Sequence, residues 1–276
     1  MIKRHTLLLL LVITSSGLLA QIDTIKVKKE HFFRRITNDG KLAIQTIGAT
    51  YARPASWQKR DWIRLGGAIG ISATVTLLDR PISNFFRNNQ NKVMDRVSKF
   101  GDFMGQPDNN YPFLLAVWSS GVIFNNEWLR DTGIMLFASI TTSGLLQTFS
   151  KELVGRARPL TGDGVYGFRP FDGTIAYHSF PSGHTMLALA TSWVMAHQVK
   201  FKPLKIFFYS VPVIVGVARI YDQAHWASDV LLGSALGIAC AETVIRVYPK
   251  FKEKLQRNQG LLILPTGRGV SLTYRF

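Results

Sequence analysis

Three short stretches of this 276-residue chain combine basic side chains, two histidines and a carboxylate that can orient one of them. In the stretch ARIYDQAHWASD, His225 and Asp229 stand four residues apart, so they share a helix face if a helix begins at or near His225. A carboxylate that is bonded to one ring nitrogen fixes the histidine tautomer and leaves the other nitrogen free to attack. Such a pair is more often structural than catalytic, but an unpaired acid among apolar neighbours is costly. The pair therefore makes His225 a candidate nucleophile.

The stretch FPSGHT combines the residues of a helix start with a second histidine. Pro181 and Ser182 favour a helix beginning, and Gly183 allows an anion to approach the backbone. The free amides and the dipole of a helix N-terminus favour negative charge. His184 stands where it can give a proton to a leaving oxygen. The alternative is an ordinary capping turn with an incidental histidine.

The stretch KELVGRARP concentrates positive charge at the end of an apolar segment. Alone it is weak evidence, because basic residues at the end of a membrane helix are usually interfacial anchors. With the other two stretches it completes a set of three cations, Lys151, Arg158 and Arg219, beside two histidines and a cradle of amides. The sequence offers no cysteine or carboxylate cluster for a divalent metal. This inventory predicts metal-independent phosphoryl transfer, in which the cations neutralise the phosphate oxygens.

The three stretches resemble the signature of the type 2 phosphatidic acid phosphatase and vanadium haloperoxidase superfamily. That signature is a lysine, six residues and Arg-Pro; then Pro-Ser-Gly-His; then Ser-Arg, five residues, a histidine, three residues and an aspartate. The chain matches it in order and spacing, and the resemblance covers roughly Trp62 to Val247. One departure is Ala218, which stands where the family usually has serine and removes a hydroxyl beside Arg219.

The resemblance implies a role for each matching residue. His225 becomes the nucleophile that forms a phosphohistidine, Asp229 its orienting carboxylate, and His184 the acid for the leaving group. Arg156 and His178 are candidates for the substrate mouth, although a solvated loop arginine and a surface histidine are the alternatives. The implied phosphate ligands are Lys151, Arg158, Ser182, Gly183 and Arg219.

Six apolar segments, each long enough for a helix, must position these residues. A polar stretch with spaced apolar residues, Ile82–Met104, is typical of an amphipathic surface helix. Near the C-terminus, Leu261–Leu264 and Val270–Phe276 flank a Pro-Thr-Gly-Arg-Gly turn and predict a hairpin. Together with the family resemblance, these elements predict an all-α, six-helix bundle with a hairpin-like tail. The segments are Trp62–Leu78, Tyr111–Phe124, Leu129–Lys151, Ser182–Val199, Lys205–Arg219 and Trp226–Val247.

The chain ends and the overall charge predict four regions and an anionic partner. Residues 1–20 have a basic start, an apolar centre and small residues before Gln21, as an export signal has. An uncleaved anchor is the alternative. We expect a basic segment over residues 21–60, the helical core over 61–250, and a linker with the hairpin over 251–276.

The net charge of +16 favours phosphorylated substrates or acidic lipid, because no nucleic-acid-binding motif is present. Cys240, the single cysteine, is typical of a small core residue.

Basic residues at the helix ends that lie opposite the predicted site favour a membrane protein whose site faces away from the cytoplasm. Lys200, Lys202 and Lys205 join the fourth and fifth apolar segments, and Lys250 and Lys252 follow the sixth. An exported start followed by three crossings would put the site inside the cell, so a soluble periplasmic bundle stays an alternative. The sequence predicts an inner-membrane enzyme with a periplasmic site.

The predicted function is hydrolysis of a phosphate monoester or pyrophosphate on a lipid such as phosphatidate, a polyprenyl diphosphate or lipid A. The alternatives are a soluble periplasmic acid phosphatase of broad specificity, a vanadate-dependent haloperoxidase, and an inactive binding or transport homologue. We expect no cofactor, no metal, no nucleic acid and no obligate protein partner.

Overall fold

The helices that carry the three motifs belong to an all-α core in a computed structural model. The structure describes residues 32–266 and 269–274, so the predicted export signal over residues 1–20 lies outside the described residues. Residues Met1–Thr37 and Asn38–Phe276 form separate packing units. The described ranges contain nine α-helices: α1 Phe32–Ala52, α2 Lys59–Val75, α3 Asp79–Asn88, α4 Lys92–Gly105, α5 Pro107–Ile123, α6 Glu127–Val154, α7 Gly183–Gln198, α8 Lys202–Tyr221 and α9 Ala227–Gly260.

Two short strands follow α9 without a break. Strand β1, Leu261–Thr266, pairs antiparallel with β2, Gly269–Tyr274, and Leu261 lies opposite Tyr274. The pairing lies in the segment for which alternating hydrophobicity predicts a hairpin.

The prediction of one amphipathic helix over Ile82–Met104 is wrong, because the segment is divided into α3 and α4. Helix α3 ends at Asn88, and Asn91 begins the next helix. The side chain of Asn91 accepts hydrogen bonds from the amides of Val93 and Met94. An asparagine in this N-cap position satisfies amides that a continuous helix would bond internally, so it starts a new helix.

Helix α1 lies in the segment for which the sequence predicts no element, and its buried face is partly polar. Asp39, Leu42, Ala43, Thr46 and Thr50 are all buried, and their spacing is that of one helix face. The carboxylate of Asp39 accepts hydrogen bonds from the guanidinium of a residue on α6 and from an indole on α5. Hydropathy misses this helix because part of its inward face is polar. The helix count therefore exceeds the six predicted, while the all-α class stands.

Close backbone contact between α7 and α9 brings two of the motifs together. A Cβ atom on Gly233 would lie 2.8 Å from the carbonyl oxygen of Ser182. One on Gly237 would lie 2.9 Å from the carbonyl oxygen of Met186. Both distances are too short for a side chain, so these two glycines set the approach of α9 to the start of α7. The core next to this contact includes Leu187, Ala190, Val194, Ala241 and Val244, which pack with buried residues of α6.

Two described helices are long and apolar enough to cross a membrane. Lys202–Tyr221 has a mean hydropathy of 1.5, and the Ala227–Arg257 part of α9 has 1.7. The core helix of a soluble protein passes the same test when it is mostly buried. Here 44% and 33% of the two windows are buried inside the protein, so much of their apolar surface faces outward.

Candidate active site

The end of α6 carries the first cation of the site and turns sharply after it. Lys151 lies in the last turn, and Gly155 ends the helix with a φ of 56°. A Cβ atom on Gly155 would lie 1.9 Å from the carbonyl oxygen of Arg169, so only glycine fits. The returning loop is held by a 2.7 Å hydrogen bond from the amide of Arg169 to the carbonyl of Gly155. This turn places Arg158 shortly after Lys151 at the same end of the fold.

The Pro-Ser-Gly-His turn opens α7 directly against Lys151. A Cβ atom on Gly183 would lie 1.6 Å from Oε1 of Gln147 and 3.1 Å from Nζ of Lys151. The glycine therefore lets the lysine ammonium approach the backbone at the helix N-terminus. Ser182 is fully buried, and its hydroxyl lies 2.9 Å from that of Thr185. The geometry brings a cation to the free amides of a helix start, which is an arrangement that attracts anions.

His225 lies just before α9, and its ring is fixed by a backbone carbonyl. The side chain is 2% exposed, and Nδ1 lies 2.6 Å from the carbonyl oxygen of Ser179. Because a carbonyl oxygen only accepts, Nδ1 carries the proton and Nε2 keeps its lone pair. Burial lowers the pKa of His225 well below its ordinary value, and Lys151 and Arg158 lower that pKa further. The imidazole is therefore neutral near pH 7, with a free electron pair on Nε2.

The expected direct bond between Asp229 and the His225 ring is wrong. The carboxylate of Asp229 accepts instead from the hydroxyl of Ser179 at 2.5 Å, the amide of Trp226 at 3.0 Å and the guanidinium of Arg156 at 2.5 Å. The reason is that α9 begins at Ala227, after the histidine, so the two side chains do not share a helix face. Ser179 joins the pair, since its carbonyl contacts His225 and its hydroxyl donates to Asp229.

Arg156 is not at the substrate mouth, so that prediction is also wrong. The residue is 3% exposed, and its guanidinium bonds Asp79 at 2.8 Å and Asp229 at 2.5 Å. Further bonds reach the Ser228 hydroxyl and the carbonyl of Val165. Two fully buried carboxylates require such a partner, because an unpaired buried charge is strongly unfavourable. Arg156 is a structural clamp behind His225.

Arg219 is held by two carboxylates on either side of its guanidinium. Nη1 lies 2.8 Å from Oδ1 of Asp102, and Nη2 lies 2.5 Å from Oδ2 of Asp222. The loss of the family's serine at Ala218 therefore does not leave Arg219 loose. Ala218 is fully buried, and a Cβ atom on Gly101 of α4 would lie 2.5 Å from its methyl group. The tight packing against Gly101 fits alanine in this position.

Several buried polar atoms at this end of the fold lack a hydrogen-bond partner among the described residues. They include Nε of Arg158, Nε of Arg219 and Nε2 of His184. Nε2 of His184 lies 3.3 Å from Oδ1 of Asp102, at ion-pair distance but outside hydrogen-bond geometry. Buried polar groups are normally satisfied, so unpartnered nitrogens of arginine and histidine side chains beside a helix N-terminus are typical of an anion site.

Comparison with known proteins gives one family match for this part of the chain. The family model of the PAP2 superfamily matches residues 132–253, which contain all three motifs. Over these residues the chain matches the PAP2 superfamily. A lipid A 1-phosphatase of Rhizobium etli is 29% identical over 67% of this chain and 82% of the relative. A lipid A 1-phosphatase of Rhizobium johnstonii is 36% identical over 46% of this chain and 51% of the relative.

A solved PAP2 structure has the same fold. The crystal structure of a transmembrane PAP2-type phosphatidylglycerolphosphate phosphatase from Bacillus subtilis matches with a TM-score of 0.53 and 22% identity. The match covers 71% of this chain and 97% of that chain.

His178 lies in the PAP2 loop between α6 and α7, with an acidic partner. Its Nε2 is 3.1 Å from the carboxylate of Glu152, and its side chain is 19% exposed. A histidine next to a carboxylate fits either a loop-stabilising pair or a residue at the mouth. Its role at the mouth stays a prediction.

The PAP2 motifs do not include four residues that the structure places beside them. Ser179 and Asp79 belong to the network behind His225, Asp102 lies between His184 and Arg219, and Gln147 lies against Gly183. Asp79 and Asp102 are far from the motifs in sequence, so local spacing gives no signal for them. Gln147 stands one helical turn before Lys151, which is the one local signal available.

Proposed function

We propose that this PAP2 chain is a phosphatase that removes a phosphate group from a membrane lipid through a phosphohistidine on His225. The observation that carries the proposal is a pair of buried guanidinium N–H groups, Nε of Arg158 and Nε of Arg219, that have no partner among the described residues and lie at the same end of the fold as a neutral, oriented imidazole. Both lipid A 1-phosphatases and the phosphatidylglycerolphosphate phosphatase to which the chain is similar act on phosphorylated lipids by name.

In the first step, Nε2 of His225 attacks the phosphorus atom. The Ser179 carbonyl holds the proton on Nδ1, so the attacking lone pair points away from the buried network. As the N–P bond forms, the P–O bond to the leaving group breaks. Lys151, Arg158 and Arg219 neutralise charge on the transferred phosphoryl oxygens, with the amides at the start of α7.

His184 gives the leaving oxygen its proton. Burial and the neighbouring Arg219 lower the pKa of His184 to about 4, although Asp102 opposes this change. A bound phosphate dianion adds negative charge beside the ring and so favours its protonated form. In the second step a water oxygen attacks phosphorus, the N–P bond breaks, and the neutral His184 accepts the proton from that water.

A lipid substrate is supported by the outward-facing apolar surface near the site. The helices Lys202–Tyr221 and Ala227–Arg257 are membrane-span candidates, and they flank His225 in the chain. Phe149 and Leu153 on the last turns of α6 are 66% and 49% exposed, close to Lys151. Apolar surface next to a phosphate site fits a substrate that has both an acyl region and a charged head group. We place the site on the periplasmic side, because Lys200, Lys202 and Lys205 lie at the opposite helix ends.

The test is phosphate release from defined substrates by the purified full chain. Lipid A, phosphatidylglycerophosphate and phosphatidate are presented in detergent micelles, and p-nitrophenyl phosphate is presented with and without detergent. His225→Ala is compared with wild type, and His197→Ala is the matched control, because His197 is exposed near the other end of α7. We expect release from at least one lipid, loss in His225→Ala, and wild-type activity in His197→Ala.

Each competing function has its own outcome in the same assay. Release that is confined to the soluble ester and independent of detergent would indicate a broad acid phosphatase. Halide oxidation that requires added vanadate would indicate a haloperoxidase. Lipid hydrolysis that persists in His225→Ala would refute the proposed nucleophile, and no release from any ester would favour an inactive homologue.

A further inference from the structure

Asp102 on α4 lies outside the three motifs but contacts one residue of the second motif and one residue of the third. Its Oδ1 is 3.3 Å from Nε2 of His184 and 2.8 Å from Nη1 of Arg219. Its Oδ2 accepts a 2.7 Å hydrogen bond from Nε2 of Gln106. The Asp102 side chain is 39% exposed, whereas that of Arg219 is 6% exposed. One carboxylate thus joins the histidine of the second motif to the arginine of the third.

The position of Asp102 is set by backbone contacts on both sides of it. A Cβ atom on Gly105 would lie 2.7 Å from Cβ of His184. One on Gly101 would lie 2.5 Å from Cβ of Ala218, the residue before Arg219. Helix α4 therefore packs directly against the starting turn of α7 and the last turns of α8. Since both contacts are made by the glycine backbone of α4, the carboxylate is held between its partners by the helix itself.

Besides Asp102, the charged groups that act most strongly on His184 among the described residues are positive. Arg219 on α8, Lys151 on α6 and Arg158 in the following loop all disfavour the protonated ring, and His225 lies nearby. Of the charged groups that act most strongly on His184 in the described part of the chain, Asp102 is the one that favours protonation. A carboxylate beside one ring nitrogen stabilises the doubly protonated ring, whichever nitrogen then gives up its proton.

We propose that Asp102 is a positioning residue that maintains the proton-donating form of His184 for departure of the leaving group. The inference rests on the proposed phosphatase function. It predicts that Asp102 matters most when the leaving oxygen needs a proton. An alkoxide leaving group needs one, whereas p-nitrophenolate departs without one.

The experiment compares Asp102→Asn with Asp222→Asn on two esters. Asp222 holds the same Arg219 guanidinium but has no contact with His184 among the described residues, so it controls for loosening of the arginine. With an alkyl phosphate, we expect kcat of Asp102→Asn to fall about tenfold more than with p-nitrophenyl phosphate. Asp222→Asn should lower both rates by the same factor. Asp102→Glu should restore part of the difference, because it returns the charge.

The pH profile gives a second readout that a purely structural role would not move. A general acid acts while protonated, so kcat falls as pH rises through the pKa of His184 in the substrate complex. Removing the charge of Asp102 lowers that pKa, so the pH at which kcat falls on the alkaline side should be lower by about one pH unit. The limb of Asp222→Asn should stay at the wild-type position. Equal losses on both esters, with an unmoved limb, would overturn the inference.

A readout without turnover separates this inference from the proposed function. Histidine carbon-13 NMR of the full chain, with the signal of His184 assigned through His184→Gln, follows protonation as pH is lowered. Protonation should begin at a higher pH in wild type than in Asp102→Asn. If wild type hydrolyses neither ester, the proposed function fails while this titration still tests the contact. Identical titrations in the two proteins would overturn the inference.

Discussion

Replacing Arg156 should destabilise the whole fold, because two buried acids depend on it. Asp79 and Asp229 are fully buried, and the Arg156 guanidinium bonds both. Removing one partner of a buried ion pair typically costs about 3–5 kcal/mol, since the remaining charge stays in a low-dielectric site. A typical domain has only about 5–15 kcal/mol of stability, so Arg156→Met should remove a large fraction of it.

The assay for Arg156→Met is thermal unfolding of the purified chain in detergent, followed by tryptophan fluorescence. A loss of about 4 kcal/mol corresponds to a fall in Tm of roughly 10 °C for a domain of this size. Arg64→Met is the matched control, because Arg64 is 58% exposed and lies 3.9 Å from Asp61. An exposed pair of this kind is worth at most about 1 kcal/mol, so Tm should change little.

A second substitution tests the mechanism of this loss. Asp79→Asn in the Arg156→Met background removes one of the stranded charges and should recover part of the lost stability. The two sites are in contact, so their effects should be non-additive. A substrate-mouth role predicts the opposite pattern, namely weaker substrate binding with an unchanged Tm. If the Tm of Arg156→Met equals that of wild type, the proposal that Arg156 stabilises the two buried acids is refuted.

Other predictions concern the anion site and its packing. Burial and the neighbouring Arg158 lower the pKa of Lys151 to about 8, so its positive charge is lost as pH rises through that value. The inhibition constant of inorganic phosphate should therefore rise about fivefold between pH 8 and pH 9, and Lys151→Arg should flatten this dependence. Gly105→Ala should destabilise the fold by about 1–3 kcal/mol and lower kcat, whereas Gly70→Ala, in open space, should leave kcat unchanged. Ala218→Ser should bring no gain in kcat and lower stability by about 1 kcal/mol, measured by turnover and thermal unfolding.

The order and spacing of the motifs predicted that they lie close together in the fold, because each motif is at a helix end. Lys151 and Gly183 lie far apart in sequence, yet the lysine ammonium reaches the backbone at the glycine. The arrangement requires only that the end of α6 and the starts of α7 and α9 lie at one end of the bundle. A bundle of antiparallel helices places alternate helix ends together, so order and spacing carried this prediction.

Contacts between distant segments could not be predicted in the same way. Asp79 meets Arg156 across 77 residues, and Asp102 meets Arg219 across 117 residues. Ser179 contributes through its backbone carbonyl as well as its hydroxyl, and a carbonyl has no signature in the sequence. The error about Asp229 has a local cause, because helical spacing applies only where a helix exists and His225 precedes α9.

The most direct test of the account is to trap the covalent intermediate. The full chain is mixed with a phosphorus-32-labelled lipid or aryl phosphate, quenched within milliseconds and digested under alkaline conditions, which preserve phosphohistidine. The account predicts label on the peptide that contains His225, absent in His225→Ala and accumulating when the second step is slowed in His184→Gln with an aryl ester. Labelling of another residue, or undiminished hydrolysis by His225→Ala, would contradict it.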